Sequence, residues 1–327
     1  MIGVFKQNNP ANAILLLVYG LILKLHLFLH PVGPLKLPGD HYFYNWLLEF
    51  LEPLRLPALF FALISFLLVL LQATLFNRIC NVHKMFEKQN YLPGMAYVLL
   101  TSLFVEWNQF SAPLLINSFL IWLFYKMVNL YNTQFPGSTI FNIGLMMGVV
   151  TLIYQPAIVF VFLIVFTLYI MRAFHIREWI IAFIGVTTPY YFLALVLYLT
   201  NNWNIQYLLP SVSFNLPGMP SSILVTVSIT LLMIPFIIGG YFVQNNLNKM
   251  LIQVRKNWSL LLLFLIISVM IMMVSGGYNY VNWVLCVVPL SAFHAAAYYY
   301  PLNKTLPRVV HWITFGYAIY INYFIIR

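Results

Sequence analysis

Two carboxylates stand where chemistry at a membrane surface could be done. Asp40 follows Pro38-Gly39 and precedes the stretch His41-Tyr42-Phe43-Tyr44-Asn45-Trp46-Leu47-Leu48-Glu49-Phe50-Leu51-Glu52. Glu106 lies in Phe104-Val105-Glu106-Trp107-Asn108-Gln109-Phe110. Asp40 suits the N-cap of a helix beginning behind it, and equally a carboxylate held at the surface against a substrate. Glu106 reads as a plain interfacial residue or as a second carboxylate of the same cavity. Such a pair can hold a divalent cation, Mg or Mn, or act as general base and orienting group. Lys24 is a basic residue inside a hydrophobic run, roughly 9 Å below the outer end of its helix at His30. It snorkels to the interface, or it meets a lipid phosphate with help from His26, His30, Lys36 or Arg55. Asp40 and Glu106 are thus the candidate catalytic and metal-holding residues. Lys24, His26, Lys36, His41, Tyr42, Arg55 and Gln155 are the candidate substrate contacts. No His-Glu-x-x-His, Walker A, Gly-x-Gly-x-x-Gly or Gly-x-Ser-x-Gly pattern occurs, so common soluble chemistries find no motif.

The elements that must position these residues follow from composition. Hydrophobic residues make up 63% of the 327 and charged ones only 7%, and the mean hydropathy is +0.90. A soluble domain carries roughly a quarter of its residues as charges, so most of this surface must face lipid. The apolar runs are long and continuous, unlike the ~10-residue alternating segments of a β-barrel. Backbone groups in lipid must be satisfied within each segment, which leaves helices. The fold class is therefore all-α, a polytopic membrane protein. Its expected spans are about eleven: 11–30, 57–76, 92–106, 112–131, 139–154, 156–172, 179–199, 222–243, 259–275, 280–300 and 309–326. The split at Gln155-Pro156 rests on proline, which disfavours helix just before it. Read as one span, 139–172 would reverse everything downstream.

Charge places the loops. With the N-terminus inside, twelve basic residues fall on the cytoplasmic side against Lys36, Arg55 and Arg327 outside, the pattern of positive-inside topology. The net charge of +10 is spread over short loops in this way, so nucleic acid is set aside as a partner. The six acidic residues divide differently, with Asp40, Glu49, Glu52 and Glu106 in the first two outer loops and Glu87 and Glu178 inside. Segment 41–53 puts His41, Asn45, Glu49 and Glu52 in one row and Phe43, Trp46, Leu47, Phe50 and Leu51 in another, an amphipathic helix lying along the outer interface. In the turn His175-Ile176-Arg177-Glu178, Arg177 and Glu178 read as an interface anchor with its counter-charge, and His294 and His311 as core polar groups. Cys80 and Cys286 are expected to be free thiols. The first run lacks a small-residue cleavage site and reads as a retained helix. No internal repeat of the kind found in many secondary transporters is visible.

The block Phe141-Asn142-Ile143-Gly144-Leu145-Met146-Met147-Gly148, Tyr154-Gln155-Pro156, Arg172, Arg177-Glu178-Trp179, Gly185 and Pro189-Tyr190 resembles an uncharacterised family of Bacteroidota inner-membrane proteins. More distantly it resembles the middle of GT-C glycosyltransferases, multispanning enzymes that use polyprenyl-phosphate-linked sugars. That likeness covers about the first two hundred residues and implies a GT-C-like core over 1–200, with further membrane helices over 201–327 in one integrated domain. It also implies an acidic residue before an interfacial helix in the first outer loop and often another in the second, positions that Asp40 and Glu106 match. The first loop has a lone Asp40 where many relatives have paired acids, Glu106 has no neighbouring Asp, and no large outer domain follows. The function so implied is transfer of a sugar, mannose for instance, from a lipid-linked donor to an acceptor on the outer face of a bacterial inner membrane. A flippase or transporter for a lipid-linked substrate and a non-catalytic assembly subunit are the alternatives.

Overall fold

The computed structural model describes residues 1–208, 222–274, 280–303 and 305–325. Lys304 and Arg327, two of the charges that set the expected topology, lie outside the described residues. The helices run in the order α1 Ile2–Phe5, α2 Ala11–Lys24, α3 His26–Leu29, α4 Tyr42–Leu51, α5 Ala58–Val82, α6 Leu92–Leu100 and α7 Ala112–Val128. They continue with α8 Gly137–Ile153, α9 Val161–Met171, α10 Ile176–Leu199, α11 Ile223–Asn246, α12 Ile252–Val274, α13 Val287–Tyr299 and α14 Thr305–Tyr320. Among the described residues there is no strand, only one isolated bridge between Asp40 and Tyr154. The fold is all-helical.

A helix occupies each of the expected spans, and among the described residues five are long and apolar enough to cross a membrane: 58–82, 176–199, 223–249, 252–274 and 280–299. The others are shorter. The extreme is α6, whose nine residues are all buried. Such a helix is roughly 13 Å long, under half the hydrocarbon thickness. Its continuation into irregular backbone is allowed because protein, not lipid, surrounds it. There the Thr101 hydroxyl donates to the Tyr97 carbonyl at 3.1 Å and the Ser102 hydroxyl to the Val98 carbonyl at 2.9 Å.

The 139–172 stretch is a there-and-back pair. Tyr154 leaves helical geometry at φ −139 and ψ 109, and a tight 3-10 stretch Gln155–Phe160 turns the chain into α9. Arg172 Nη1 then donates to the Thr133 carbonyl at 2.7 Å. A single helix over this stretch would separate those ends by roughly 50 Å. Beyond the turn, α10 runs parallel to α8 at backbone contact. A Cβ on Gly144 would meet the Ala182 carbonyl at 2.5 Å, and one on Gly148 the Val186 carbonyl at 2.4 Å. Small residues permit this approach where no hydrophobic force drives helices together. Gly148→Leu should therefore split α8 from α10, with a clear fall in melting temperature followed by fluorescence size-exclusion. An unchanged profile would mean that the two helices are not held this closely.

Glu178 takes a different partner from the one its sequence neighbourhood suggests. It is buried and held by Arg172, at 2.7 Å from Nη2 and 3.2 Å from Nε, while Arg177 is exposed. Consecutive helix residues do not face each other, and the α9–α10 turn brings Arg172 back over Glu178.

Long-range contacts sort the connections into two ends. At one, Lys6 Nζ donates to the Tyr299 carbonyl at 2.7 Å and the Lys88 N–H to the Tyr299 hydroxyl at 3.0 Å. At the other, the Leu35 N–H donates to the Phe110 carbonyl at 2.8 Å and Trp107 Nε1 to the Tyr280 carbonyl at 2.7 Å. The candidate residues of the first two outer loops belong to this second end.

Candidate functional site

The loop carrying Asp40 is stitched to the break that ends α8. The Gln155 N–H donates to the Gly39 carbonyl at 2.9 Å and the His41 N–H to the Ile153 carbonyl at 3.0 Å. Only glycine fits at 39, because a Cβ there would lie 2.7 Å from the Tyr154 ring and 2.9 Å from Pro156. Position 40 is thereby pinned between α4 and α8.

Asp40 is not the N-cap of α4. That position belongs to His41, with extended backbone and no side-chain cap bond. The carboxylate turns back instead, and its Oδ2 accepts the Leu37 N–H at 2.6 Å. Oδ1 is buried without a hydrogen-bond partner. Burial raises this carboxyl from 3.8 to about 7, against the opposing pull of the Leu37 N–H and the Lys36 charge. A carboxyl poised near neutrality is what a general base at ordinary pH requires. His41 is also buried, not part of an exposed row. Burial pushes its imidazole down while a hydrogen bond with the Leu152 carbonyl works the other way, and Nδ1 has no partner.

The following helix has three kinds of face. Tyr44 and Leu48 point inward, and the Tyr44 hydroxyl donates to the Leu35 carbonyl at 3.0 Å. Trp46 and Phe50 are 55% and 62% exposed and stack with ring centroids 5.9 Å apart, which suits the headgroup region. Asn45 and Glu49 are exposed beside them. A surface cavity of ≈ 210 Å³ is lined by Lys36, Tyr42, Asn45, Trp46, Glu49 and Tyr207. The helix ends at Leu51, and a short turn Glu52–Leu54 leaves Arg55, at φ 45, exposed at its far end.

The structure thus gathers Lys36, Asp40, His41, Tyr42 and Gln155. Glu106 is exposed in the short turn Val105–Asn108, and the charge that pulls on Asp40 is that of Lys36. Between them lies the 3-10 stretch Tyr280–Cys286, which accepts a hydrogen bond from the Tyr154 hydroxyl at Asn282 Oδ1, 2.6 Å away, and that of Trp107 at Tyr280. Among the described residues no three His, Cys, Asp or Glu side chains converge as metal ligands.

Lys24 and His26 form a separate group. Lys24 is 1% exposed, so it does not snorkel, and its ammonium nitrogen donates to Asn108 Oδ1. Both ring nitrogens of His26 are buried without partners. A buried amine whose neighbour is a neutral amide is costly in a membrane interior. Lys24→Met should therefore keep or raise the melting temperature in detergent, while Asn108→Leu, which strips the amine of that partner, should lower it. The reverse order would show that Lys24 carries part of the fold's stability.

Sequence reasoning passed over Gly39, Tyr154, Tyr207 and Asn282. The Tyr154-Gln155-Pro156 break was visible as a helix stop, but nothing local indicates that it pairs with residues 39–41. A family model described as a family of unknown function (DUF6427) matches residues 46–324. No curated protein and no solved structure matches the chain.

Proposed function

The chain belongs to this family of unknown function, and on that premise we propose that it is a polytopic membrane glycosyltransferase of GT-C type. It crosses a bacterial inner membrane about eleven times with its N-terminus inside and works at the outer face. The observation that carries the reading is Asp40: a carboxylate anchored through one oxygen, bare at the other, and poised near neutrality at the end of the bundle where an interfacial helix begins.

For the reaction Asp40 Oδ1, buried and unpartnered in the resting chain, has to be opened to the acceptor hydroxyl. As its oxygen bonds to the anomeric carbon, Oδ1 takes its proton. The bond from that carbon to the donor's phosphate oxygen breaks, and polyprenyl phosphate leaves. Lys36 and Tyr42 border the cavity in which the sugar is placed. An apolar groove of ≈ 510 Å³, lined by Trp107, Leu232, Phe236, Leu265, Trp283 and Cys286 among others, suits an isoprenoid tail. It starts beneath the Tyr280–Cys286 stretch, so a tail lying there brings its phosphate to interface depth. Glu106 is exposed beside Trp107, a wall of that groove. The sugar is taken to be mannose.

The test is transfer itself. Purified protein in nanodiscs is given radiolabelled polyprenyl-phosphate mannose and a membrane extract as acceptor source. Labelled product that depends on the protein is expected. Its absence with mannose and with the other polyprenyl-phosphate sugars would sink the reading.

A further inference from the structure

At the opposite end of the bundle a second lipid-facing feature has no part in this chemistry. A groove of ≈ 420 Å³ runs between α5 and α7, with Leu75, Arg78 and Val82 on one wall and Trp122, Tyr125 and Lys126 on the other. The α5 residues recur at three- and four-residue spacing, one face of the helix. Arg78 is exposed and Lys126 half-buried, the latter with Nζ 5.3 Å from the Trp122 ring centroid. Among the described residues the ion pair present is Arg172 with Glu178, so neither Arg78 nor Lys126 has a carboxylate to neutralise it.

From this geometry we propose that the α5–α7 groove is a binding site for an anionic phospholipid, the phosphate held between Arg78 and Lys126 and an acyl chain laid along Leu75 and Trp122. Three features point to that occupant. The groove is mainly apolar and opens to the lipid-facing surface, where exposed Leu71, Leu75 and Val82 adjoin it. Its two cations sit at the end of the bundle that holds Lys6 and Lys88, the level at which a leaflet's phosphates lie if that end faces the cytoplasm. The aromatic rings between cation and apolar wall suit the glycerol region, where Trp and Tyr settle. A zwitterionic lipid offers the same phosphate but brings its own cation against Arg78 and Lys126, so an anionic headgroup is selected.

Native mass spectrometry of the full chain, titrated in detergent with phosphatidylglycerol or phosphatidylcholine, reads this directly. The first phosphatidylglycerol should bind roughly tenfold or more tightly than phosphatidylcholine, since each basic residue contributes on the order of 1 kcal/mol near an anionic lipid. Arg78→Gln with Lys126→Gln should bring the ratio close to unity, and Arg78→Lys should keep it. Lys84→Gln with Lys249→Gln, which alters a neighbouring cavity at the same end, should leave it unchanged. An equal loss in that control would show diffuse charge attraction and overturn the site. So would a wild-type protein that binds both lipids alike, a double variant that keeps the preference, or displacement of the lipid by inorganic phosphate.

Discussion

Asp40→Asn should abolish sugar transfer while leaving the protein folded, and at neutral to alkaline pH it should raise the melting temperature. Asparagine keeps an oxygen to accept the Leu37 N–H, the bond that anchors the native carboxylate. It cannot take a proton from an acceptor, and loss of a positioned base typically costs a factor of about 10² to 10⁴. The stability change follows from the direction of the carboxyl's shift. Its ordinary value of 3.8 rises to about 7 in the folded chain because burial disfavours the charged form. Below the ordinary value the group is neutral in both folded and unfolded chains, and nothing is lost. Between the two values the folded state loses stability as pH rises, and above about 7 the whole loss is present. The amide removes that loss. A residue kept for structure would give the opposite result, a lower melting temperature at every pH. Circular dichroism melts at acidic and alkaline pH, alongside the transfer assay, separate the two.

Arg172→Leu should be the most damaging single change at the other end of the bundle. It removes the two hydrogen bonds to Glu178 and the one to the Thr133 carbonyl, and leaves Glu178 buried without its counter-charge. Breaking one member of such a pair costs about 3 to 5 kcal/mol. The side chains are 16% and 11% exposed, so about 3 kcal/mol, the lower figure, is expected here. Glu178→Gln should cost less, because Arg172 keeps the Thr133 carbonyl and reaches solvent. Arg172→Leu combined with Glu178→Leu should recover much of the loss. If Arg172→Leu melts like the parent in detergent, the turn that returns α9 to the start of α8 does not depend on this pair.

A helix lies in each apolar run of the sequence, because such runs in a weakly charged chain have no other stable form in lipid, and five of those described are long and apolar enough to cross a membrane. It was less good at their ends. α5 continues through Asn77, Arg78 and Asn81 beyond the apolar run, since Asn77 Oδ1 accepts the Gly94 N–H at 3.2 Å and Asn81 holds the Asn90 backbone. α12 starts earlier than its apolar run, at Ile252, carrying Arg255 and Lys256 on the helix. Pairing was not legible. Asp40 next to an interfacial segment is a local feature, but its seat against Tyr154 joins residues far apart in the chain. Proline marked the break at 155–156 without saying what would fill it. Lys24 stood out as a charge in an apolar run, yet its burial against Asn108 depends on the packing of α2 beneath the Val105–Asn108 turn, the two residues lying 84 positions apart in the chain.

The central claim, that Asp40 serves as the base of a transfer reaction, is tested most directly by the pH dependence of initial transfer rate at saturating donor. With a base whose carboxyl titrates at about 7, the rate should climb through neutrality, roughly tenfold per pH unit on the acid side, and level off above it. A rate flat from about pH 5 to about pH 9, or one that rises around pH 4 as an ordinary carboxylate would give, would contradict it.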